Sequence, residues 1–256
     1  VSWMEFLELA QYFTYEMIKE QNEGKTDSTP DPAMIDMFNA MVDEMFDYGR
    51  FILKEKRKNP ANDLLSAIAN AEINGEKLSD EFLDGSWLLI IFAGNDTTRN
   101  TMSGGIKLLH ENQMQKEMLI DNLELLPNFI NETVRCVSPV IHMRRTSLEE
   151  TEINGQKIGP YEKIALWYGA ANRDPDVFED PDKFNILRDN ADKHLAFGIG
   201  RHTCIGKPVA LMQLREFYSQ FLTRFQDFEM NGDWKVAPNN FVHAIQEMPI
   251  KFSPSK

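Results

Sequence analysis

The chain has 256 residues, of which 42% are hydrophobic and 26% are charged, enough to bury one large core or two small ones. Its formal net charge of -13 argues against nucleic acid as a partner. Two cysteines do not suggest a disulfide framework and favour a reducing cytoplasm, no signal peptide is visible, and the longest apolar run is too short to span a membrane.

Helices dominate the first half of the sequence and short strands the second half. Apolar spacing predicts helices over 3–20, 33–58, 61–72, 79–110, 112–121 and 126–137, with a turn-rich loop at 21–32. The second half contains β-prone pieces over 141–168, an irregular segment over 172–196, a last helix over 205–224 and β hairpins over 225–256. A long irregular segment is often functional.

The sequence FGIGRHTCIG, residues 197–206, places a cysteine between two glycines and directly before the last helix. The free N–H groups and the dipole at a helix N-terminus favour a thiolate at Cys204 over a thiol. Gly206 leaves room for a flat group against the backbone, Gly200 permits a turn that other residues would strain, and Phe197 can cover one side. A lone cysteine is more often structural, which is our interpretation of Cys136, but this pattern is long and specific.

The loop resembles the haem-binding loop of the cytochrome P-450 monooxygenases, whose pattern is Phe-x-x-Gly-x-His-x-Cys-x-Gly. The resemblance implies that the cofactor is haem b and that the thiolate of Cys204 is the axial ligand of its iron. It also implies that Phe197, Gly198, His202 and Gly206 lie against the haem.

A buried ion-pair network is implied by the same resemblance. Glu132 and Arg135 stand three residues apart and can pair on one helix face, although most such pairs are solvated surface pairs. They match the Glu-x-x-Arg pair of the family, which holds the core beneath the cysteine loop. Arg188, in PDKFNILR, stands at the place of the third member. We expect these three residues to be structural, not catalytic.

Two adjacent arginines lie in the β-prone run HMRRT, residues 142–146. Such arginines are normally surface charges. The resemblance implies that one of them binds a haem propionate by bidentate pairing. Arg145 is the better match, Arg144 is the alternative, and His202 is the expected partner of the second propionate.

The long helix contains AGNDTT, residues 93–98, at its centre. Gly94 costs about 1 kcal/mol relative to alanine in a helix interior, and threonine hydroxyls compete for carbonyls one turn back. The family counterpart, Ala-Gly-x-Asp-Thr-Thr, implies that Ala93 and Gly94 border the haem, that Thr97 hydrogen-bonds dioxygen and that Asp96 relays protons from solvent. Taken alone, the stretch equally fits a helix kink or an aspartate that caps a second helix.

The implied fold is mainly α with small β-sheets, the cytochrome P-450 fold, incomplete at the N-terminus. We predict one domain over residues 1–256. It comprises distal covering helices over 1–78, the long central helix and the following helices over 79–140, and the β-rich segment, cysteine loop, last helix and hairpins over 141–256. Because the preceding helices, the N-terminal sheet and one propionate ligand of the family have no counterpart here, we expect the front of the fold to be missing.

The implied activity is hydroxylation of an unactivated C–H bond in an alkane, a fatty acid or a sterol side chain, using O2 and electrons from NAD(P)H through a reductase and a ferredoxin. GNDTTRN, HMRRT and NRDP most resemble soluble bacterial members of the family. The alternatives are a peroxide-driven peroxygenase, against which Asp96 and Thr97 argue, and a non-catalytic haem-binding protein or remnant.

A cluster of basic residues near the cysteine fits docking of an acidic ferredoxin, with scattered solvated charge as the alternative. Its members are Lys193, Arg201, Lys207 and Arg215. We further expect a cytoplasmic monomer with a hydrophobic small-molecule substrate and without a membrane span.

Overall fold

The computed structural model describes residues 32–237 and 241–254 and divides into two compact units, Val1–Ala93 and Gly94–Lys256. The helix predicted over 3–20 lies outside the described residues, as does the loop at 21–32 apart from its last residue. The assignment of the whole chain to one domain stays a prediction.

From residue 32 onwards, where the structure is described, the first unit has two helices and a hairpin before the long helix. Its elements are α1 (Pro32–Lys58), α2 (Leu64–Ala69), β1 (Glu72–Ile73), β2 (Glu76–Lys77) and the first part of α3 (Asp80–Glu111). Leu53, Ala69, Leu83 and Trp87 form its buried core. The Trp87 indole N–H donates to the Met45 carbonyl at 3.1 Å, so α1 and α3 are joined by a polar bond as well as by packing.

The helix predicted over 61–72 is shorter than expected at both ends. It begins after Asp63, whose carboxylate accepts from the Ser66 N–H at 2.8 Å and caps the first turn. It ends at Ala69 because the chain then forms the β1–β2 hairpin. Asn74 and Gly75 turn that hairpin with φ values of 55° and 84°, the backbone that an Asn-Gly turn adopts.

Helix α3 passes from the first unit into the second without a break. The Ser79 hydroxyl accepts from the Phe82 N–H at 3.2 Å, which supports the predicted start of the helix. The Gly-Asn-Asp-Thr-Thr stretch is therefore helical throughout.

The second unit continues with helices that pack on the rest of α3. They are α4 (Gln113–Asp121), α5 (Leu126–Val137), α6 (Tyr168–Ala171) and α7 (Lys207–Arg224). Their shared core includes Ile106, Phe129 and Leu214. The buried face of α7 is Leu214, Tyr218 and Leu222, spaced by four residues.

The strands of the second unit form small antiparallel pairs. They are β3 (His142–Thr146) with β6 (Lys163–Trp167), β4 (Thr151–Ile153) with β5 (Gln156–Ile158), β7 (Asp227–Met230) with β10 (Ile250–Ser253), and β8 (Lys235–Ala237) with β9 (Ala244–Glu247). The segment before β9 also touches the segment before β3: the Ile141 N–H donates to the Phe241 carbonyl at 2.8 Å and the His243 N–H to the Pro139 carbonyl at 2.9 Å.

This architecture, mainly helical with small sheets, confirms the predicted fold class. Residues 172–196 are turns with one short 3-10 helix, as their composition predicts. Among the described residues, every helix is too short or too polar to cross a bilayer.

Candidate functional site

Cys204 lies in a tight loop between the 3-10 turn Gly200–His202 and α7. Its N–H donates to the Phe197 carbonyl at 2.8 Å, which closes the loop, and its own carbonyl accepts from the Lys207 N–H at 3.2 Å. The thiol is exposed. The cysteine therefore stands three residues before the first residue of α7, on the N-terminal side of the helix.

Two glycines allow this loop to be compact. Gly198 and Gly200 have φ values of 70° and 67°, where other residues are strained. A Cβ on Gly198 would also lie 3.0 Å from the His202 carbonyl oxygen. At Gly206, by contrast, an added Cβ would meet Sγ of Cys204 at an ordinary 3.7 Å, so the fold itself does not require glycine there.

The donor set of the loop fits an iron porphyrin. A thiol suits iron as an axial ligand, and the Cys204 thiol is exposed. The side chains of Ile199 and Ile205 are 72% and 78% exposed and supply apolar surface in the same loop. His202, also exposed, can donate to a carboxylate such as a propionate.

Asp96 and Thr97, the residues of the predicted proton relay, lie near the middle of α3 along the chain. The Asp96 carboxylate is buried and accepts from Nη2 of Arg99 at 2.6 Å, one turn further along the helix. Because the Arg99 side chain is half-buried, the ion pair extends from the interior towards solvent. Ala93 and Gly94 are exposed on the preceding turn.

Two side chains one turn further along α3 donate hydrogen bonds to the backbone carbonyls of Asp96 and Thr97. Nδ2 of Asn100 donates to the Asp96 carbonyl at 2.9 Å, and the Thr101 hydroxyl donates to the Thr97 carbonyl at 2.8 Å. Such bonds compete with the helical ladder, as the sequence predicts, but α3 stays continuous.

Helix α7 is fixed to α3 near the acid. The Tyr218 hydroxyl lies 3.0 Å from both the Thr101 and the Met102 carbonyl oxygens and donates to them. Burial raises the pKa of Tyr218, which keeps the hydroxyl protonated and a donor. A Cβ on Gly105 would overlap this hydroxyl, so the crossing requires glycine. The helix that follows Cys204 is thereby held against the helix that carries Asp96.

Glu132, Arg135 and Arg188 form one buried network. Arg135 donates from Nε to Oε2 of Glu132 at 2.7 Å and from Nη2 to Oε1 at 2.8 Å, a bidentate pair. Nε of Arg188 lies 3.2 Å from both carboxylate oxygens, and the Asn185 N–H adds a bond of 2.9 Å to Oε1. Further guanidinium bonds go to backbone carbonyls of the irregular segment, which the network holds in place.

Asn172 connects this network to the cysteine loop, a role that our sequence analysis missed. Its carbonyl accepts from Nη1 of Arg135 at 2.7 Å, and its Oδ1 accepts from the Leu195 N–H at 2.6 Å, two residues before Phe197. Its Nδ2 donates to the Ser138 hydroxyl at 2.8 Å. An asparagine in an Asp- and Pro-rich stretch resembles an ordinary turn residue, so the sequence holds little signal for it.

Arg145 lies in the middle of β3, opposite Ile164 of β6. It is half-buried and donates from Nη1 to the Arg144 carbonyl at 3.0 Å, whereas Arg144 is exposed. The end of β6 approaches the cysteine loop through Tyr168, whose hydroxyl would lie 3.7 Å from a Cβ on Gly198. Tyr168, which directly follows the strand pair that carries Arg145, therefore lies near the loop that carries His202.

Two titratable groups near these elements have shifted pKa values, the half-buried Cys136 and the buried His194. Burial, followed by the charge of Glu132, raises the pKa of the Cys136 thiol to about 12, so this cysteine stays protonated. Burial, followed by the charge of Lys207, lowers the pKa of His194 to about 4. Nδ1 of His194 accepts from the Ala196 N–H at 3.3 Å, and its Nε2 has no hydrogen-bond partner within the described part of the chain.

Comparison with known proteins connects this arrangement to one family. The sequence model of the Cytochrome P450 family matches residues 30–252. The chain is 36% identical over 214 residues to linalool 8-monooxygenase of Pseudomonas putida, covering 84% of this chain and 52% of that protein. It is 37% identical over 224 residues to steroid C26-monooxygenase of Mycolicibacterium smegmatis, covering 87% of this chain and 55% of that protein.

Solved structures give the same result. The structure of cytochrome P450-153 from Novosphingobium aromaticivorans superposes with a TM-score of 0.78 at 35% identity, covering 87% of this chain and 55% of that one. The chain spans about half the length of the curated relatives it matches.

Proposed function

Because the chain belongs to the cytochrome P450 family, we propose that it acts in a haem-thiolate monooxygenase that hydroxylates an unactivated C–H bond of a hydrophobic substrate. The observation that carries the proposal is the cysteine loop. It presents an exposed thiol at the start of α7, held by the Cys204–Phe197 backbone bond and by two glycines in left-handed conformation.

Bound haem would supply the activation of dioxygen, of which one atom enters the C–H bond and the other leaves as water with two electrons and two protons. In this proposal the Cys204 thiolate binds the iron, and Phe197, Gly198 and Gly206 border the porphyrin. Arg145 and His202 hold the propionates. Arg145 is preferred to Arg144 because it is half-buried, where a charge-assisted bond is less screened by solvent.

The proton relay is assigned to Asp96 and Thr97. The Thr97 hydroxyl orients dioxygen, and the Asp96 carboxylate passes protons inward. Its ion pair with the half-buried Arg99 supports this assignment, because it links the buried acid to the solvent side of the helix.

We assign electron delivery to an acidic ferredoxin that docks near Cys204 and is reduced by NAD(P)H through a reductase. Lys193, Arg201 and Arg215 are exposed and available for such a partner. Lys207 is half-buried, with its ammonium 5.5 Å from the centre of the Phe197 ring, so it contributes less to the outer surface. These charges would speed encounter with an acidic protein more than they would strengthen the complex.

The proposed substrate class is an alkane, a fatty acid or a sterol side chain. The names of two relatives, which act on linalool and on steroid C26, support an apolar substrate. A cytoplasmic location and a monomeric state stay predictions.

The deciding experiment is the reduced, CO-bound difference spectrum of the haem-loaded protein. We expect the red-shifted Soret band of thiolate-ligated iron. Cys204→Ser should abolish this band, whereas Cys136→Ser, which removes the half-buried, protonated thiol, should retain it. A band typical of imidazole-ligated haem in the unsubstituted protein would refute the proposal.

Turnover then separates a monooxygenase from a peroxygenase. With NAD(P)H, reductase and ferredoxin, Thr97→Ala should consume electrons but release peroxide in place of product. Thr223→Ala is the matched control, because Thr223 is also a helical threonine but lies exposed near the end of α7. Product formation from peroxide alone, unaffected by Thr97→Ala, would favour the peroxygenase.

A further inference from the structure

The side chain of Asn100, one turn after Asp96, bonds in two directions. Its Nδ2 donates to the Asp96 carbonyl at 2.9 Å, and its Oδ1 accepts from the Ile245 N–H at 2.8 Å. The two partners are 149 residues apart, in α3 and β9 (245 - 96 = 149). Asn100 is 1% exposed and its bond to the Asp96 carbonyl is buried, while the bond from the half-buried Ile245 is partly buried.

The neighbouring residue, Thr101, makes the corresponding hydrogen bond within α3 but not the bond to β9. The Thr101 hydroxyl donates to the Thr97 carbonyl at 2.8 Å, with the same spacing of four residues. A local bond therefore needs a hydroxyl only, and the longer amide of Asn100 adds the connection to the strand.

Strand β9 is in turn attached to the segment that leads into β3. The Ile141 N–H donates to the Phe241 carbonyl at 2.8 Å, and the His243 N–H donates to the Pro139 carbonyl at 2.9 Å. Residues 241–245 thus form a strap from the start of the strand that carries Arg145 to the turn that carries Asp96. Without Asn100, the Ile245 N–H would lose its acceptor, and residues 241–245 would lose their bond to the turn that carries Asp96.

We propose that Asn100 is a positioning residue, which ties the Asp96–Thr97 turn to β9 and so fixes the proton relay relative to β3. The inference rests on the proposed function. It assigns Asn100 no contact with substrate or cofactor. Its effect is on the placement of Asp96 and Thr97, where small displacements have large effects on rate.

Three substitutions separate the bridge from its local half. Asn100→Ala removes both bonds. Asn100→Thr retains a hydroxyl for the Asp96 carbonyl, as Thr101 has for the Thr97 carbonyl, but it is too short to reach Ile245. Thr101→Val removes a local bond of the same kind and leaves the bridge intact.

The first measurement is amide hydrogen exchange at Ile245 in the haem-loaded protein. We expect faster exchange in Asn100→Ala and Asn100→Thr and unchanged exchange in Thr101→Val. The second is the product formed per NAD(P)H consumed, which should fall several-fold in both Asn100 variants at equal haem content and an unchanged CO spectrum. The fall in Thr101→Val should be smaller.

Each contrary result has a defined meaning. Unchanged exchange at Ile245 in Asn100→Ala would overturn the bridge. Faster exchange with a product yield equal to that of Thr101→Val would reduce Asn100 to a structural residue, and Asn100→Thr behaving like the unsubstituted protein would show that the local bond suffices. Absence of product from the unsubstituted protein would count against the proposed function, while the exchange data would still decide whether the bridge exists.

Discussion

His194 gives the protein a stability that depends on pH. The side chain is buried beside Phe197, with 5.6 Å between the ring centres, and burial lowers its pKa to about 4. The histidine of the unfolded chain titrates near its ordinary pKa of about 6.5. As the pH falls, the unfolded state therefore takes up the proton first, so the contribution to stability is complete above pH 6.5 and is lost progressively towards pH 4.

The size of the effect follows from the two pKa values. Between pH 7 and pH 5 the linkage relation gives a loss of about 2 kcal/mol in the free energy of unfolding. His194→Asn retains a hydrogen-bond acceptor for the Ala196 N–H but does not titrate. The variant should therefore lose about 2 kcal/mol less than the unsubstituted protein over this interval.

Urea unfolding at pH 7, 6 and 5 measures this difference directly. The quantity to compare is the change in unfolding free energy with pH, not the stability at one pH, because the substitution also changes packing. Parallel pH dependence in the two proteins would refute the reasoning, and so would an NMR titration that places the folded pKa of His194 near 6.5.

Three further predictions concern the residues around the site. Glu132→Gln leaves two buried guanidinium groups without their counter-charge and should cost about 3–5 kcal/mol in urea unfolding. Gly105→Ala forces a methyl group against the Tyr218 hydroxyl and should cost about 1–3 kcal/mol in the same assay, a loss that Tyr218→Phe should not reproduce in full. Arg145→Ala should speed haem transfer to apomyoglobin more than Arg144→Ala does, and equal rates would contradict the preference for Arg145.

The sequence was most informative where a residue type has little chemical ambiguity. A cysteine between two glycines before an amphipathic helix has few structural uses, and the loop around Cys204 has the turn that its glycines predict. The helices over 33–58, 79–110 and 126–137 were also predictable, because each combines apolar periodicity with a marked start or end. The helix predicted over 61–72 is present as Leu64–Ala69 but is shorter than expected, because the residues around the Asn-Gly turn form a hairpin.

Residues that hold elements together by bonding to the backbone were missed. Asn100, Asn172 and Tyr218 all bond to carbonyl or N–H groups of distant segments. Every residue carries such groups, so the partner of a buried amide or hydroxyl leaves no trace in residue type or spacing.

The site residues that the sequence indicated and the residues that it missed also differ in what they would bind. The roles of Cys204, Arg145 and His202 are implied by the family resemblance, and the groups proposed to meet them, iron and carboxylates, demand particular side chains. The residues that hold elements together, Asn100, Asn172 and Tyr218, need only a hydrogen-bond donor or acceptor of the right length at the right place. Asparagine, serine or tyrosine can each supply one. A substitution at Asn100, Asn172 or Tyr218 should consequently be tolerated when the length and the donor of the side chain are kept. At Cys204, by contrast, even the isosteric serine should not be tolerated. That contrast makes the asparagine-to-threonine change at position 100 informative, since it keeps the donor and removes the length.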